Sequence, residues 1–523
     1  MSSKGRPYLG LTGTKLNIWV TVACTTAMTL FGYDQGVFGG IIVTQDFLKT
    51  MGNPSPTLQG TIVSLYDIGC FFGAVSTFTF GAILQTCSFT VAQMIVARLI
   101  TGVGNGINTA TAPVWQSETS KPSWRGKLVV FEMIMNIAGF SLSNWMTYGF
   151  SFAHGSIAWR FPIAFQLVFS IVLFSTIPWL PESPRWLLAH GHHDEGVKVL
   201  VALEGSHATA KDEQIVNQTE TILEAVRIEK ETSPSWRDIL KGKTGNTGMI
   251  QRLILGGGMD KLFSRIYKLM VKSVYTTGTQ WMQQLVGINV TSYYLPLVLQ
   301  NSVGLSNNLS RLLAACNSVS YLIFSFAGLL LIERAGRRKL MMWGAAGQCV
   351  CYIFISALLS QANDPTNGTK FGAGATAFFF LYYVFFGICW QGVPWLYPTE
   401  INSSAMRTKG AAVGTASNWI SNYIVVQITP SGIANIGWRF YLIWVVFNAI
   451  FVPVVWLMYP ETSNRQLEDI DRLYRDNKSM IFVFRNKEAT QVKRPQRFIE
   501  ADQDRIKMLV KATEKEPGTP ENI

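Results

Sequence analysis

ETSKPSWRG, Glu118–Gly126, closes a long apolar run with a glutamate followed seven residues later by an arginine, and EINSSAMRTKG, Glu400–Gly410, does the same far downstream. About 60 residues beyond each lies a second matched pair, PESPR (Pro181–Arg185) and PETSNR (Pro460–Arg465). Equal elements in equal order describe a duplication, two halves that traverse their surroundings in the same direction. The runs between the motifs identify those surroundings. Of 523 residues, 48% are hydrophobic and only 15% charged, against about 25% charged in an average soluble domain. The apolar residues gather near 16–39, 59–88, 91–117, 127–152, 161–180, 276–300, 309–332, 340–360, 372–397, 409–429 and 439–459. Each run is long enough, at ~1.5 Å per residue, to cross a hydrocarbon layer of ~30 Å. The chain reads as an all-α membrane protein with eleven visible spans and two parallel helical halves.

The net charge of +12 lies in segments that flank the spans, including Arg125 and Lys127, Arg185, Arg334–Lys339 and the tail. Basic loops stay cytoplasmic, so the charge sets orientation and does not indicate nucleic acid. The expected organisation is a cytoplasmic N-terminus 1–15, a transmembrane half 16–180, a cytoplasmic linker 181–275, a second transmembrane half 276–459 and a cytoplasmic tail 460–523. The first run lacks a short apolar core followed by a small-residue cleavage site and reads as a retained span. All seven cysteines fall inside spans with no CxxC pair; they read as packing residues, with no disulfide, metal or cofactor implied. No nucleophile paired with a base and no phosphate loop appears, which argues against an enzyme.

Polar residues inside spans are the informative exceptions, since each unpaired amide in an apolar setting costs roughly 1–3 kcal/mol. Gln283, Gln284 and Asn289 share one span; they fit either hydrogen bonds between helices or contacts to a hydroxyl-rich molecule. Asp34, in FGYDQGVFGG, and Arg98 are the buried-charge candidates. A carboxylate at mid-bilayer costs about 2.5–3.5 kcal/mol. Three roles stand open for Asp34: an acid satisfied by packing, part of a passive pore lining, or a proton carrier that meets the Arg98 cation in only one conformation.

PESPRWLL, ERAGRR, QQLVGINVTSYY, PWLYPTEI and R-x-x-x-G-x-G-x-G at Arg98–Gly106, in this order, resemble the sugar porter family of the major facilitator superfamily, especially its fungal members. The resemblance spans nearly all of 10–475. It implies twelve helices, alternating access and a sugar or related polyol as cargo, read here as a hexose or pentose, with the plasma membrane as the default location. It implies substrate contacts at Gln283, Gln284, Asn289, Trp395, Asn418 and Trp419, and an outer closure by Tyr293 and Tyr294. It also implies a cytoplasmic latch between the halves built from Glu118, Arg125, Arg185, Glu333, Arg337, Arg338, Glu400 and Arg407. Proton-coupled members carry Asp at the FGYD position and many passive carriers carry Asn, so the resemblance favours proton symport through Asp34 and Arg98. A facilitative uniporter, a non-transporting sugar sensor and an inactive splice or gene-model variant are the alternatives.

The chain departs from the pattern in four places. Met133, beside Glu132, stands where relatives have a sugar-binding Gln, and Tyr321 where they have Asn, with Asn317 one turn earlier. The second-to-third-span loop with its basic turn is missing: FFGAVSTFTFGAILQTCSFT runs uncharged from Phe71 to Thr90. One crossing is expected to be lost there, which would set the first helix on the wrong side of everything after it and keep Asp34 from Arg98. Finally, a basic insert occupies 257–278; as a helix it would suit the cytoplasmic leaflet, and as a retained intron it would match a missing exon near Gly81.

Overall fold

The computed structural model describes residues 7–73, 81–120, 125–232, 278–362, 364–401, 407–465, 469–470, 473 and 483–500. Every regular element among the described residues is helical, as a lipid medium that cannot satisfy backbone hydrogen bonds requires. The first half contains α1 (Gly13–Ile41), α2 (Gln45–Thr50), α3 (Pro56–Gly73), α4 (Gly81–Thr86), α5 (Val91–Thr119), α6 (Arg125–Phe150), α7 (Ile157–Ala164) and α8 (Gln166–Thr176). Three short helices follow: α9 (Pro184–Ala189), α10 (His193–Glu204) and α11 (Glu213–Thr232). The second half contains α12 (Thr279–Leu285), α13 (Ile288–Ser292), α14 (Leu295–Asn301), α15 (Asn307–Ala335), α16 (Arg337–Ser360), α17 (Gly368–Cys389), α18 (Val393–Ile401), α19 (Arg407–Ile436) and α20 (Tyr441–Met458).

Seven stretches among the described residues are long and apolar enough to cross a membrane, one of them running through both α19 and α20. Three segments that the sequence reading placed in spans are not among them: α3, α5 and the series α12–α14. The first two are diluted by polar residues, including Asp67 on α3 and Arg98 on α5, and the third is cut into short pieces at Gly287. All of these polar side chains, with Gln283, Gln284 and Asn289 of the third, are buried. Hydropathy falls short where the bundle interior, and not lipid, is the solvent.

The segment around Gly81 corrects one expectation. A Cβ built on Gly102 would lie 2.1 Å from the Tyr66 carbonyl oxygen, and one on Gly106 would lie 2.2 Å from that of Cys70. Both contacts carry the same offset along the two chains, so α3 and α5 run parallel, close enough that only glycine fits between them. A chain that had lost a crossing would place these consecutive helices antiparallel. Gly69 and Gly102 face each other, which sets Val91 level with residue 58, roughly 22 Å from Gly73 along the axis at 1.5 Å per residue. Between them α4 packs on α5 and α7, and the segment that follows it is pinned by Arg160, whose Nη2 donates to the Ser88 carbonyl at 2.8 Å. α3 and α5 thus share one direction, and α1 packs directly on α5.

The two halves meet where α3 packs on α19 and α6 on α15. On the basic side, α9 and α10 dock beneath α1 through a cluster of Leu16, Leu187, Val199 and Leu203. The sequence-predicted basic insert, 257–278, lies outside the described residues apart from Gly278.

Candidate functional site

The centre of the bundle is built on a broken helix. At Gly287 the backbone turns to φ 94°, the left-handed region that favours glycine, and splits α12 from α13. The break puts the amides of Gln283 and Gln284 on one piece and Asn289 on the next, all facing inward. Gln283 donates Nε2 to the Trp390 carbonyl at 3.1 Å and accepts from Asn418 Nδ2 at 3.0 Å. Asn418 also donates to Gln280 Oε1 at 2.6 Å. Asn289 donates Nδ2 to Asn422 Oδ1 at 2.6 Å and to Gln284 Oε1, and accepts from Gln35 Nε2 of α1 at 3.2 Å.

These side chains surround a small cavity between the halves. Eight amides line it (Gln35, Asn136, Gln283, Gln284, Asn289, Gln391, Asn418 and Asn422), with Ser292 and Tyr321 as hydroxyls and no charged side chain in the lining. Phe31, Phe140, Phe386 and Trp395 supply aromatic surface. Amides both donate and accept, so the cavity suits a neutral molecule rich in hydroxyls with faintly apolar faces.

Of the six residues expected to hold substrate, Gln283, Gln284, Asn289, Trp395 and Asn418 line the cavity. Trp419 lies one layer behind, fully buried, with its ring 5.3 Å from Phe31 and 6.2 Å from Tyr66. Sequence reading did not single out Gln35, Asn136, Gln391 and Asn422; the available signal was an amide isolated in an apolar run. Met133 lines the cavity, while Glu132 is buried outside the lining. Tyr321 projects in and donates to Gln391 Oε1. Asn317 is buried and outside the lining, so it does not take over the missing amide's place.

One residue before Gln35, Asp34 accepts from Arg98 Nη1 at 3.1 and 3.0 Å, and both side chains are fully shielded from solvent. Arg98 Nη2 donates to the Val63 carbonyl at 3.0 Å. Its guanidinium lies 4.1 Å from the Phe38 ring centroid and 4.4 Å from that of Tyr66. The pair that the sequence reading expected to be kept apart is assembled.

On the side away from the basic loops the halves are fastened together. Tyr293 and Tyr294 are fully buried; the Tyr293 hydroxyl donates across the interface to Asp67 Oδ1 at 3.4 Å, while that of Tyr294 donates within the second half to the Val426 carbonyl at 3.1 Å. Ser64 donates to Gln427 Oε1 at 2.7 Å, Asn307 to the Val43 carbonyl at 2.7 Å, and Arg311 to Thr44 Oγ1 at 2.9 Å.

The basic side differs. Arg337 reaches Glu333 at 2.9 Å and Glu400 at 2.7 Å, Thr462 donates to Glu400 at 2.7 Å, and Glu461 accepts from the backbone amides of Arg337 and Arg338. All of these contacts lie within the second half, whereas the resemblance implied a network between halves. Arg338 turns to the Trp456 carbonyl at 2.7 Å instead of joining the acids. Glu118 accepts from Ser183, and Arg185 sits on α9 beside it in sequence. Arg125 and Arg407 open α6 and α19, and their side chains lie outside the described residues.

The family model described as "Sugar (and other) transporter" matches residues 74–474. An MFS-type transporter, oryC, of Aspergillus oryzae is 49% identical, covering 98% of this chain and 96% of its own length. The sugar transporter STL1 of Saccharomyces cerevisiae is 33% identical, covering 89% of this chain and 83% of its own. Among solved structures, the xylose transporter XylE of E. coli in a partially occluded inward open conformation superposes with TM-score 0.68 at 20% identity, over 87% of this chain and 100% of that one. That likeness concerns the fold.

Proposed function

The chain belongs to the sugar transporter family of the major facilitator superfamily, whose members are transporters and not enzymes, and on that premise we propose that it carries a monosaccharide across the plasma membrane by proton symport. The observation that supports this reading is the adjacency of two features. A cavity lined by eight uncharged amides abuts, through Gln35, the shielded Asp34–Arg98 pair.

The amides exchange their present partners for sugar hydroxyls, so that binding replaces hydrogen bonds without leaving buried groups unpaired. Asp34 binds the proton. Neutralised, it no longer holds Arg98 electrostatically, and α1 is freed to move against α5; ionised, it restores the pair. Closure of the outer side by Tyr293 and Tyr294 and release toward the basic, cytoplasmic side complete an alternating-access cycle. The latch residues of the basic side come together across the halves in the opposite conformation.

The test is uptake of labelled hexoses and pentoses by cells lacking their own carriers, with and without a proton uncoupler. Accumulation above the external concentration that the uncoupler abolishes is expected. Uptake that only equilibrates would replace symport with uniport. Binding without uptake would leave a sensor, and neither binding nor uptake of any monosaccharide would remove the cargo assignment.

A further inference from the structure

Asp67, on α3, is a second carboxylate fully buried between the halves, and the cycle described above gives it no task. Its Oδ1 accepts from Asn422 Nδ2 of α19 at 3.0 Å and from the Tyr293 hydroxyl at 3.4 Å. Both donors belong to the second half, while the acid belongs to the first. Asn422 in turn accepts from Asn289, and Asn289 accepts from Gln35, the neighbour of Asp34. One turn before Asp67 on the same helix, the Val63 carbonyl holds Arg98. Asp67 thus closes a circuit that runs from the cavity amides, across the interface, to the helix that carries the Asp34–Arg98 partner.

A hydrogen bond to a carboxylate is roughly twice as strong as one between neutral groups. Here the acceptor and both donors are hidden only while the outer side is shut. Opening that side parts α3 from α13 and α19 and breaks both bonds together. The other cross-half hydrogen bonds found among the described residues of α3, Thr57 with Ser431 and Gln427, and Thr61 and Ser64 with Gln427, are between neutral groups.

We propose that Asp67 is the bolt of the outer gate, a positioning residue whose carboxylate on one half fastens Tyr293 and Asn422 on the other and so ties closure to the state of the cavity amide Asn289. This rests on the reading of the chain as an alternating-access carrier.

The experiment places a reporter at Ser64→Cys, an isosteric change one turn outward from Asp67 at a fully buried interface position. An impermeant thiol reagent is applied from outside to the purified full chain in liposomes, without substrate, and the increment over the same protein lacking the reporter is measured. Asp67→Ala is expected to raise the labelling rate about tenfold, the shift produced by losing one or two charge-assisted hydrogen bonds. Asp67→Asn, which keeps an acceptor oxygen, is expected within about threefold of the parent. Should Asp67→Ala not fold, Tyr293→Phe, which removes one donor alone, is expected to label about threefold faster. Labelling of Asp67→Ala, or of Tyr293→Phe in its place, at the parent rate overturns the assignment. So does Asp67→Asn labelling as fast as Asp67→Ala, since then side-chain acceptance is not what holds the gate. The readout needs no cargo: a parent that takes up no sugar, with Asp67→Ala labelling fast, removes the cargo reading and leaves the bolt in place.

Discussion

Replacing Asp34 by Asn removes one charge from a pair whose two side chains have no access to solvent. Leaving the other charge buried without its partner generally costs about 3–5 kcal/mol. Arg98 keeps the Val63 carbonyl and the faces of Phe38 and Tyr66, and such desolvated cation–π contacts hold a guanidinium by up to about 2 kcal/mol. The expected loss is therefore at the lower end, about 3 kcal/mol. The second variant, Asp34→Asn with Arg98→Met, removes both members of the pair, and Met fills most of the vacated volume. It should recover at least half of the loss, because replacing both members of a buried pair by neutral groups is often close to neutral. Stability is read as the melting midpoint of the detergent-purified protein. Transport is read in liposomes as accumulation driven by an inward proton gradient, beside exchange of labelled for unlabelled sugar at equal concentrations. Asp34→Asn should lose accumulation and retain exchange. Two results refute the reasoning: accumulation by Asp34→Asn at the parent level, or a double variant no more stable than the single one.

Further expectations concern the cavity and the frame. Asn289→Ala removes two donated bonds and one accepted bond at the cavity; it should raise the KM for sugar about tenfold, as the loss of ~1.5 kcal/mol requires, in initial-rate uptake. Trp395→Ala should likewise weaken binding. Trp419→Ala, one layer back, should lower the melting midpoint by the equivalent of about 3–5 kcal/mol, with a smaller effect on KM. Gly106→Val would drive a Cβ to 2.2 Å from the Cys70 carbonyl oxygen; overpacking of at least about 1–3 kcal/mol should force α3 from α5 and reduce the monodisperse fraction on size-exclusion chromatography. Arg337→Gln separates Glu333 from Glu400 and should cost about 1–3 kcal/mol, seen in the same melting assay.

The halves, the helices and the amide triad of the broken span were legible in the sequence because each leaves a local mark, an apolar run, a repeated motif or adjacent glutamines. Asp34 and Arg98 were legible because a charge in an apolar run demands a partner. Asn422, Gln35 and Asp67 were not singled out: each is a single polar residue whose meaning depends on the face it presents, and facing is settled by packing between helices far apart in sequence. The parity error came from the same source. Counting apolar residues between Phe71 and Thr90 could not reveal that α3 and α5 run parallel, because that follows from the glycine contacts between them. The resemblance grouped Arg338 with Arg337, yet neighbours on a helix point about 100° apart, and of the two side chains only that of Arg337 meets the acids.

The left-handed turn at Gly287 separates two inheritances. Gln283 and Gln284 lie before it, Tyr293 and Tyr294 after it, and the Tyr352 hydroxyl, donating to the Gly287 carbonyl at 2.8 Å, steadies the joint itself. In a continuous helix, any substitution that re-angled the outer end would also turn the glutamines away from the cargo. With a swivel between them, selection could retune how readily the carrier opens while leaving the grip of the two glutamines unaltered, and Asn289, just past the joint, is the one cavity amide that must answer to both demands.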